Sequence, residues 1–105
     1  MKRQAIYSSL AENDLVDLIA YIGYHNRTAA HRFRQQVREI SNTLALHPDM
    51  GTPCGYTQPG TEKVRVRTIP GFANYLIFFQ RIEHGVRIER IRHGSLDWQA
   101  GIELQ

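Results

Sequence analysis

The chain contains one cysteine, Cys54, so it cannot form an internal disulfide bond. Cys54 lies in a loop rich in glycine and proline, without a metal-ligand partner at a useful spacing, and we interpret it as a reduced thiol. No apolar run approaches the roughly 20 residues that are needed to span a membrane. The basic start of the chain, residues 1–4, is not followed by an apolar segment and does not resemble a signal peptide. These absences predict a cytoplasmic protein without membrane contact.

Patterns for metal, cofactor and single-stranded RNA binding are lacking as well. Tyr21, Tyr24 and Tyr56 interleave with no basic stripe at helical spacing, so a stacking platform for single-stranded RNA is not predicted. Four of the histidines form no H-x-x-x-H pair and no Cys/His set, and we expect neither a metal nor a cofactor. These histidines are His25, His31, His47 and His84.

Charge is distributed unevenly along the chain. The formal net charge is +3, but residues 63–92 hold seven basic and two acidic residues, a net +5, and the remainder sums to −2. This basic half favours an acidic partner, either nucleic acid or an acidic protein segment. It fits equally well with a solvated sheet face whose arginines keep the protein soluble. The basic residues are Lys63, Arg65, Arg67, Arg81, Arg87, Arg90 and Arg92.

The first half of the chain predicts a short strand over residues 3–7 and two amphipathic helices. Ser9 and Glu12 fit a capping box, in which the Ser9 hydroxyl accepts a hydrogen bond from the Glu12 amide. Apolar residues at positions 15, 18, 19 and 22 form one face of the first helix, which we expect to end near Gly23. Asn26 can cap the second helix, and Pro48 stops it. So short a link predicts an antiparallel helical hairpin.

The second half predicts strands. Residues 63–68 alternate as a half-buried strand, whereas residues 75–79 are apolar on both faces, which is typical of a central strand. Gly85 supplies a turn into a last strand that mixes Val86, Ile88 and Ile91 with arginines. The order predicts a single α+β domain over residues 1–105, in which an N-terminal strand and the helical hairpin pack on a mostly antiparallel three- to four-stranded sheet. We expect the sheet to be covered on one side and to offer charge on the other.

Several local patterns occur together with this order of elements. The first helix, LAENDLVDLIAYIGYHN, ends in an aromatic residue, His and Asn, and His47-Pro48-Asp49-Met50-Gly51 follows the second helix. Arg67-Thr68-Ile69-Pro70 precedes the apolar strand, and the last strand ends in the sequence HGSLDW, residues 93–98. In order and spacing these patterns resemble the ParE/RelE superfamily of bacterial toxins from type II toxin–antitoxin systems, and ParE most closely.

The resemblance implies a toxin that inhibits growth by binding and poisoning DNA gyrase and that a cognate, ParD-like antitoxin neutralises. On this interpretation the basic last strand and the aromatic tail form the target-binding surface, in which arginine and tryptophan are the residue types that most often dominate binding energy. The residues predicted to bind the target are Arg90, Arg92, His93 and Trp98. Those predicted to bind the antitoxin are Arg65, Arg67, Arg81 and Arg87.

RelE-type members instead cleave mRNA in the ribosome, and this alternative stays open. Metal-free RNA cleavage needs an acid, a base and cations for the developing phosphorane charge. Arg65, Arg67 and Arg90 could supply the charge and His93 the proton transfer. No convincing acid/base pair is assembled, so we favour a protein without catalytic residues and expect direct nucleic-acid binding only on the ribonuclease interpretation.

Purely structural roles for His93 and Trp98, and a third class of function for the whole domain, also stay open. His93 can be a turn histidine that hydrogen-bonds the backbone, and Trp98 can be a lid over the end of the core. The whole domain can be a non-toxic module that only binds an antitoxin.

Overall fold

The structure is a computed structural model that describes residues 2–95 and 101–104. Its elements follow the predicted order, and the predicted α+β class is confirmed. Within the described residues the elements are β1 (Gln4–Tyr7), α1 (Ser9–His25), α2 (Arg27–Leu46), β2 (Thr52–Pro53), β3 (Arg65–Ile69), β4 (Phe72–Ile82) and β5 (Gly85–His93).

The strands form one sheet in the order β1-β5-β4-β3-β2. β1 runs parallel to β5, and the other neighbours are antiparallel. β4 is central, as its two apolar faces predicted. The sheet has one strand more than the sequence indicated, because Thr52 and Pro53 pair with β3 inside a segment that was predicted as a loop. A two-residue strand is too short to show alternation.

Gly85 is required where β1 meets β5. It has a φ of 138°, and a Cβ atom at this position would lie 1.9 Å from the Gln4 carbonyl oxygen. The Gln4 amide also donates to the His84 carbonyl over 2.9 Å. The turn glycine therefore allows the N-terminal strand to dock beside the last strand, in addition to reversing the chain.

The helix caps agree with the prediction at one helix and differ by one residue at the other. Asn26 caps α2 by accepting from the Ala29 amide over 3.0 Å. The predicted capping box at Ser9 is wrong, because the cap of α1 is Ser8, whose hydroxyl accepts from Ala11 over 3.0 Å. Ser8 is selected by tertiary contacts, since its hydroxyl also donates to the Glu89 carbonyl of β5. α1 continues through Gly23 to His25.

The main core lies between the helical hairpin and one face of the sheet. Of the two apolar faces of β4, the one that carries Ile77 and Phe79 meets the helices. Five apolar residues of α2, spaced three or four positions apart, are buried. They are Ala30, Phe33, Val37, Ile40 and Leu44.

The opposite face of the sheet carries a second core. This corrects the expectation of a sheet that is covered on one side only. Leu76 and Phe78 of β4 are buried there, and the loop before β3 and the end of the chain pack over them through Tyr56, Ile102 and Leu104. The exposed charge on this side is therefore confined to the margins of the sheet.

The packing predicts a large penalty for truncating the central aromatic of α2. Phe33 is fully buried and contacts the rings of Phe72 and Tyr75 edge-on. Phe33→Ala should lower the free energy of unfolding by about 3–5 kcal/mol, because it leaves a cavity, as measured by urea denaturation. Gln35→Ala, an exposed change on the same helix, is the matched control and should stay within about 0.5 kcal/mol. A loss below about 1 kcal/mol for Phe33→Ala would contradict this packing.

Candidate functional site

Arg90 is buried, although the sequence placed it on an exposed contact surface. Its Nε donates to one carboxylate oxygen of Asp14 over 2.7 Å, and its Nη2 donates to the other over 2.9 Å. The two side chains are only 9% and 14% exposed. The Asp14 hydrogen bond raises the pKa of Arg90 above its ordinary value, so the guanidinium stays charged. Arg90 is thus engaged within the fold.

Asp14 also closes the open edge of β5. β1 pairs with β5 only as far as Ile88, so the residues that follow have no neighbouring strand on that side. The Ile91 amide donates to the Asp14 carboxylate over 3.0 Å and is thereby satisfied. The third nitrogen of Arg90 reaches the Glu103 carbonyl of the C-terminal segment at 3.3 Å. One carboxylate therefore joins α1, β5 and, through Arg90, the end of the chain.

Sequence reasoning missed Asp14, although a signal was present. Asp14 lies four residues before Leu18 on the apolar side of α1, where an acid requires a buried partner. Arg90 is the corresponding cation and lies on β5 between the buried Ile88 and Ile91. Glu89 beside it is buried as well, and its carboxylate accepts a hydrogen bond from the Gln80 side-chain amide.

His93 lies at the end of β5 on the helical side of the sheet. It is opposite Tyr75, and the two rings meet edge to face with centroids 4.9 Å apart. Its Nδ1 accepts from the Ser95 amide over 3.0 Å and lies 2.7 Å from the Ser95 hydroxyl. In the neutral ring the proton is therefore on Nε2. His93 makes the backbone contact of a turn histidine, and Nε2 remains available to a ligand.

Arg92 lies on the opposite face from His93. It is paired with Leu76, whose side chain belongs to the second core. Since successive strand residues alternate between faces, Arg92 and His93 border the same end of the sheet from its two sides. Trp98, the fourth predicted target-binding residue, lies outside the described residues.

Three of the four arginines predicted to bind the antitoxin share one face. Arg65, Arg67 and Arg81 are paired with apolar residues of the main core. Arg65 donates to the carbonyls of Met50 and Gly51 over 3.1 and 3.0 Å and so holds the link that follows α2.

Arg81 and Arg87 lie on opposite faces of the sheet and differ in their contacts. Arg81 forms an ion pair with Asp49 over 2.9 Å at the surface, where the side chains are 54% and 80% exposed. Arg87 is exposed and lies opposite Gln80 on the other side of the sheet. A single partner can contact both only by passing around an edge of the sheet.

The structure does not bring the proposed ribonuclease residues together. Arg65 is opposite Phe79, whereas His93 is opposite Tyr75 on the far side of the same strand. Four residues along β4 and two strand spacings put their Cα atoms about 17 Å apart. For Arg67 the same reasoning gives about 12 Å, within reach of a ligand held at His93. Arg90 is paired with Asp14 instead.

Among residues 2–95 and 101–104, no group of three or more His, Cys, Asp or Glu side chains could hold a metal ion. No helix in this part of the chain is long and apolar enough to cross a membrane. Burial raises the pKa of the Cys54 thiol.

The comparison with models of protein families identifies the family. The model of the family described as ParE toxin of type II toxin–antitoxin systems, parDE, matches residues 5–98. Because this match extends over most of the sequence, the chain belongs to the ParE toxin family, as its motifs indicated.

A solved structure of the chromosomal ParDE toxin–antitoxin system from P. aeruginosa is similar, with a TM-score of 0.68 and 18% identity. The similarity covers 87% of this chain and 95% of that chain, and at this identity it shows the fold alone. A search of curated proteins gave no match.

The Asp14–Arg90 pair predicts a large effect on stability. Asp14→Ala should lower the free energy of unfolding by about 3–5 kcal/mol, because it leaves a buried guanidinium without its counter-ion. Asp14→Asn should cost less, since its amide oxygen can still accept from Ile91. The matched control is Asp49→Ala, which breaks the exposed pair with Arg81 and should cost less than about 1 kcal/mol. Equal losses of unfolding free energy in Asp14→Ala and Asp49→Ala would show that the buried pair stabilises the fold no more than the exposed pair does.

Proposed function

We propose that this protein is the toxin component of a type II toxin–antitoxin system, that it inhibits growth by binding and poisoning DNA gyrase, and that a ParD-like antitoxin neutralises it. The family match over residues 5–98 carries the proposal. The choice of gyrase rests further on the sequence, which offers no convincing acid/base pair, and on the separation of the proposed ribonuclease residues, since Arg65 lies far from His93 and Arg90 is paired with Asp14. ParE-type binding needs a contact surface and no acid/base pair.

The target-binding surface in this proposal is the end of the sheet at Arg92 and His93, continued by the tail with Trp98. Arg92 and His93 are half-buried, so they can form contacts without leaving the fold. Arg90 contributes indirectly, since it anchors the last strand to α1 and to the C-terminal segment. Loss of activity in an Arg90 variant would therefore report on folding before it reported on target binding.

Ribosome-dependent mRNA cleavage is the second candidate, and one observation favours keeping it. Nε2 of His93 is unoccupied among the described contacts, and Arg67 lies within reach of the same ligand. A metal-independent ribonuclease could use these two groups. It would have one arginine near His93, where the sequence suggested three. A non-toxic antitoxin-binding module is the third candidate, and it requires neither group.

Inhibition of gyrase supercoiling by the purified protein separates these candidates. If His93 is one contact among several, His93→Ala should weaken inhibition by about 1 kcal/mol, roughly fivefold. Trp98→Ala should weaken it by at least about 2 kcal/mol, as expected of a hot spot. Deletion of everything after Gly94 should abolish inhibition, but this also removes Ile102 and Leu104 from the second core, so the point variants are the sharper test.

The ribonuclease interpretation predicts the reverse order. His93→Ala would then remove the roughly 10²–10⁴-fold that general acid–base catalysis supplies, and Trp98→Ala would matter little. Ribosome-dependent cleavage of mRNA that is lost in His93→Ala would exclude the gyrase proposal. Unimpaired growth on expression without antitoxin, with folded protein in the cells, would leave only the non-toxic module.

The proposed antitoxin is a small protein with a disordered, acidic tail that wraps the helical hairpin and the basic margins of the sheet. An extended segment suits this role because Arg65 and Arg87 lie on opposite faces, and a disordered chain can follow a path around an edge. The affinity should then fall clearly with added salt, because the contacts are between exposed charges.

Titration calorimetry at increasing salt tests this antitoxin contact. Arg87→Gln should weaken binding and reduce its salt dependence, since Arg87 has no ion-pair partner among residues 2–95 and 101–104. Lys2→Gln, an exposed cation outside the helical hairpin and not among the predicted antitoxin contacts, is the control and should change neither. A salt-independent affinity, or an affinity unchanged in Arg87→Gln, would count against the proposed contact.

A further inference from the structure

Helix α2 carries a row of cations on its solvent side. The row consists of Arg27, His31, Arg34 and Arg38, and we call it the α2 cationic stripe. The spacings of four, three and four residues place these side chains on one face of the helix, and all four are exposed. The stripe extends about 16 Å along the helix axis.

None of these side chains has an ion-pair partner in the part of the chain that the structure describes. The described ion pairs involve Arg81, His84 and Arg90 instead. α2 carries four arginines and only one acidic residue, Glu39. A shallow surface depression along the helix is lined by His31, Arg34, Gln35 and Arg38. The three arginines of the stripe are therefore not neutralised by any acidic side chain of the described residues.

This arrangement opposes helix stability. Arg27 is the first residue of α2, at the positive end of the helix dipole, and the first turn holds no acidic residue. Arg34 and Arg38 are four residues apart and repel each other. Local arrangements that work against folding occur mainly at functional sites, so the stripe is better explained by a ligand than by helix formation.

We propose that the α2 cationic stripe binds the phosphate backbone of duplex DNA. Arginine donates to phosphate oxygens in a bidentate manner and keeps its charge at all relevant pH values. A row of basic side chains about 16 Å long can contact several successive phosphates. The neighbouring Gln35 adds a hydrogen-bond donor. Such contacts bind DNA without reading its sequence.

The composition of the stripe distinguishes duplex DNA from other polyanions. It contains no Phe, Tyr or Trp, the large rings on which the bases of a single strand stack. It also contains no large apolar residue that could anchor a protein partner. The inference is independent of the proposed gyrase target and adds a nucleic-acid contact that the basic residues of the sheet did not predict.

Fluorescence anisotropy with a short labelled duplex of mixed sequence, over a series of salt concentrations, tests the proposal. The logarithm of the affinity should fall with the logarithm of the salt concentration with a slope of about −0.9 per phosphate contacted. The stripe variant Arg27→Gln/Arg34→Gln/Arg38→Gln should flatten that slope by about 2.7. Between 50 and 200 mM salt the wild type should therefore lose about fortyfold more affinity than the stripe variant.

The matched control removes three cations elsewhere. Lys2→Gln/Arg32→Gln/Lys63→Gln has the same net charge as the stripe variant, and all three positions are exposed, so its slope should equal that of the wild type. Thermal unfolding followed by circular dichroism should show no loss of stability in the stripe variant, because the change removes repulsion within α2. If it does unfold, Arg34→Gln alone should still flatten the slope by about 0.9.

Several outcomes would overturn the proposal. Equal losses of DNA affinity in the stripe variant and in the control variant would show that binding depends only on net charge. Absence of duplex binding by the wild type at 50 mM salt would refute the contact outright. Polyglutamate binding that depends on the stripe, without duplex binding, would assign the surface to an acidic protein partner.

Discussion

The ion pair between Asp14 and Arg90 joins parts of the fold that the sheet alone would leave unconnected. β1 ends beside the middle of β5, so the second half of β5 has no strand partner on that side among the described residues. The Asp14 carboxylate takes the place of the missing strand by accepting from the Ile91 amide, and it neutralises Arg90 at the same point. Because breaking the pair would leave one partly desolvated charge without its partner, the contact ties α1 to β5 at this point.

This constraint decides which cations are available to partners. A basic stretch of sequence suggests a basic surface, but Arg90 is buried and paired with Asp14. Arg65 donates hydrogen bonds to two backbone carbonyls of the link after α2. Arg81 is partly neutralised by Asp49. The longest row of unpaired arginines in the described residues is on α2, outside the basic stretch of residues 63–92. Linear charge counting and the three-dimensional charge distribution thus point to different surfaces.

The end of the sheet is arranged differently. His93 is held by the Ser95 amide and by the Tyr75 ring, which fixes the tautomer and leaves Nε2 free. Arg92 borders the same end from the opposite face. Such a rigid edge suits recognition by a protein partner, because little side-chain freedom is lost when the contact forms.

The sequence by itself determined the two helices, the central position of β4 and the family. These follow from periodicity, from caps such as Asn26 and from motifs in a fixed order, all of which are local properties of the chain. Tertiary structure alone decided the cap at Ser8, the two-residue strand β2, the second core and the burial of Arg90. Each of these depends on residues far apart in the sequence, since Ser8 is selected by Glu89 and Arg90 by Asp14. The sequence does not distinguish an arginine that faces solvent from one that faces a buried carboxylate. For Arg90, the packing of α1 against β5 places the side chain beside Asp14.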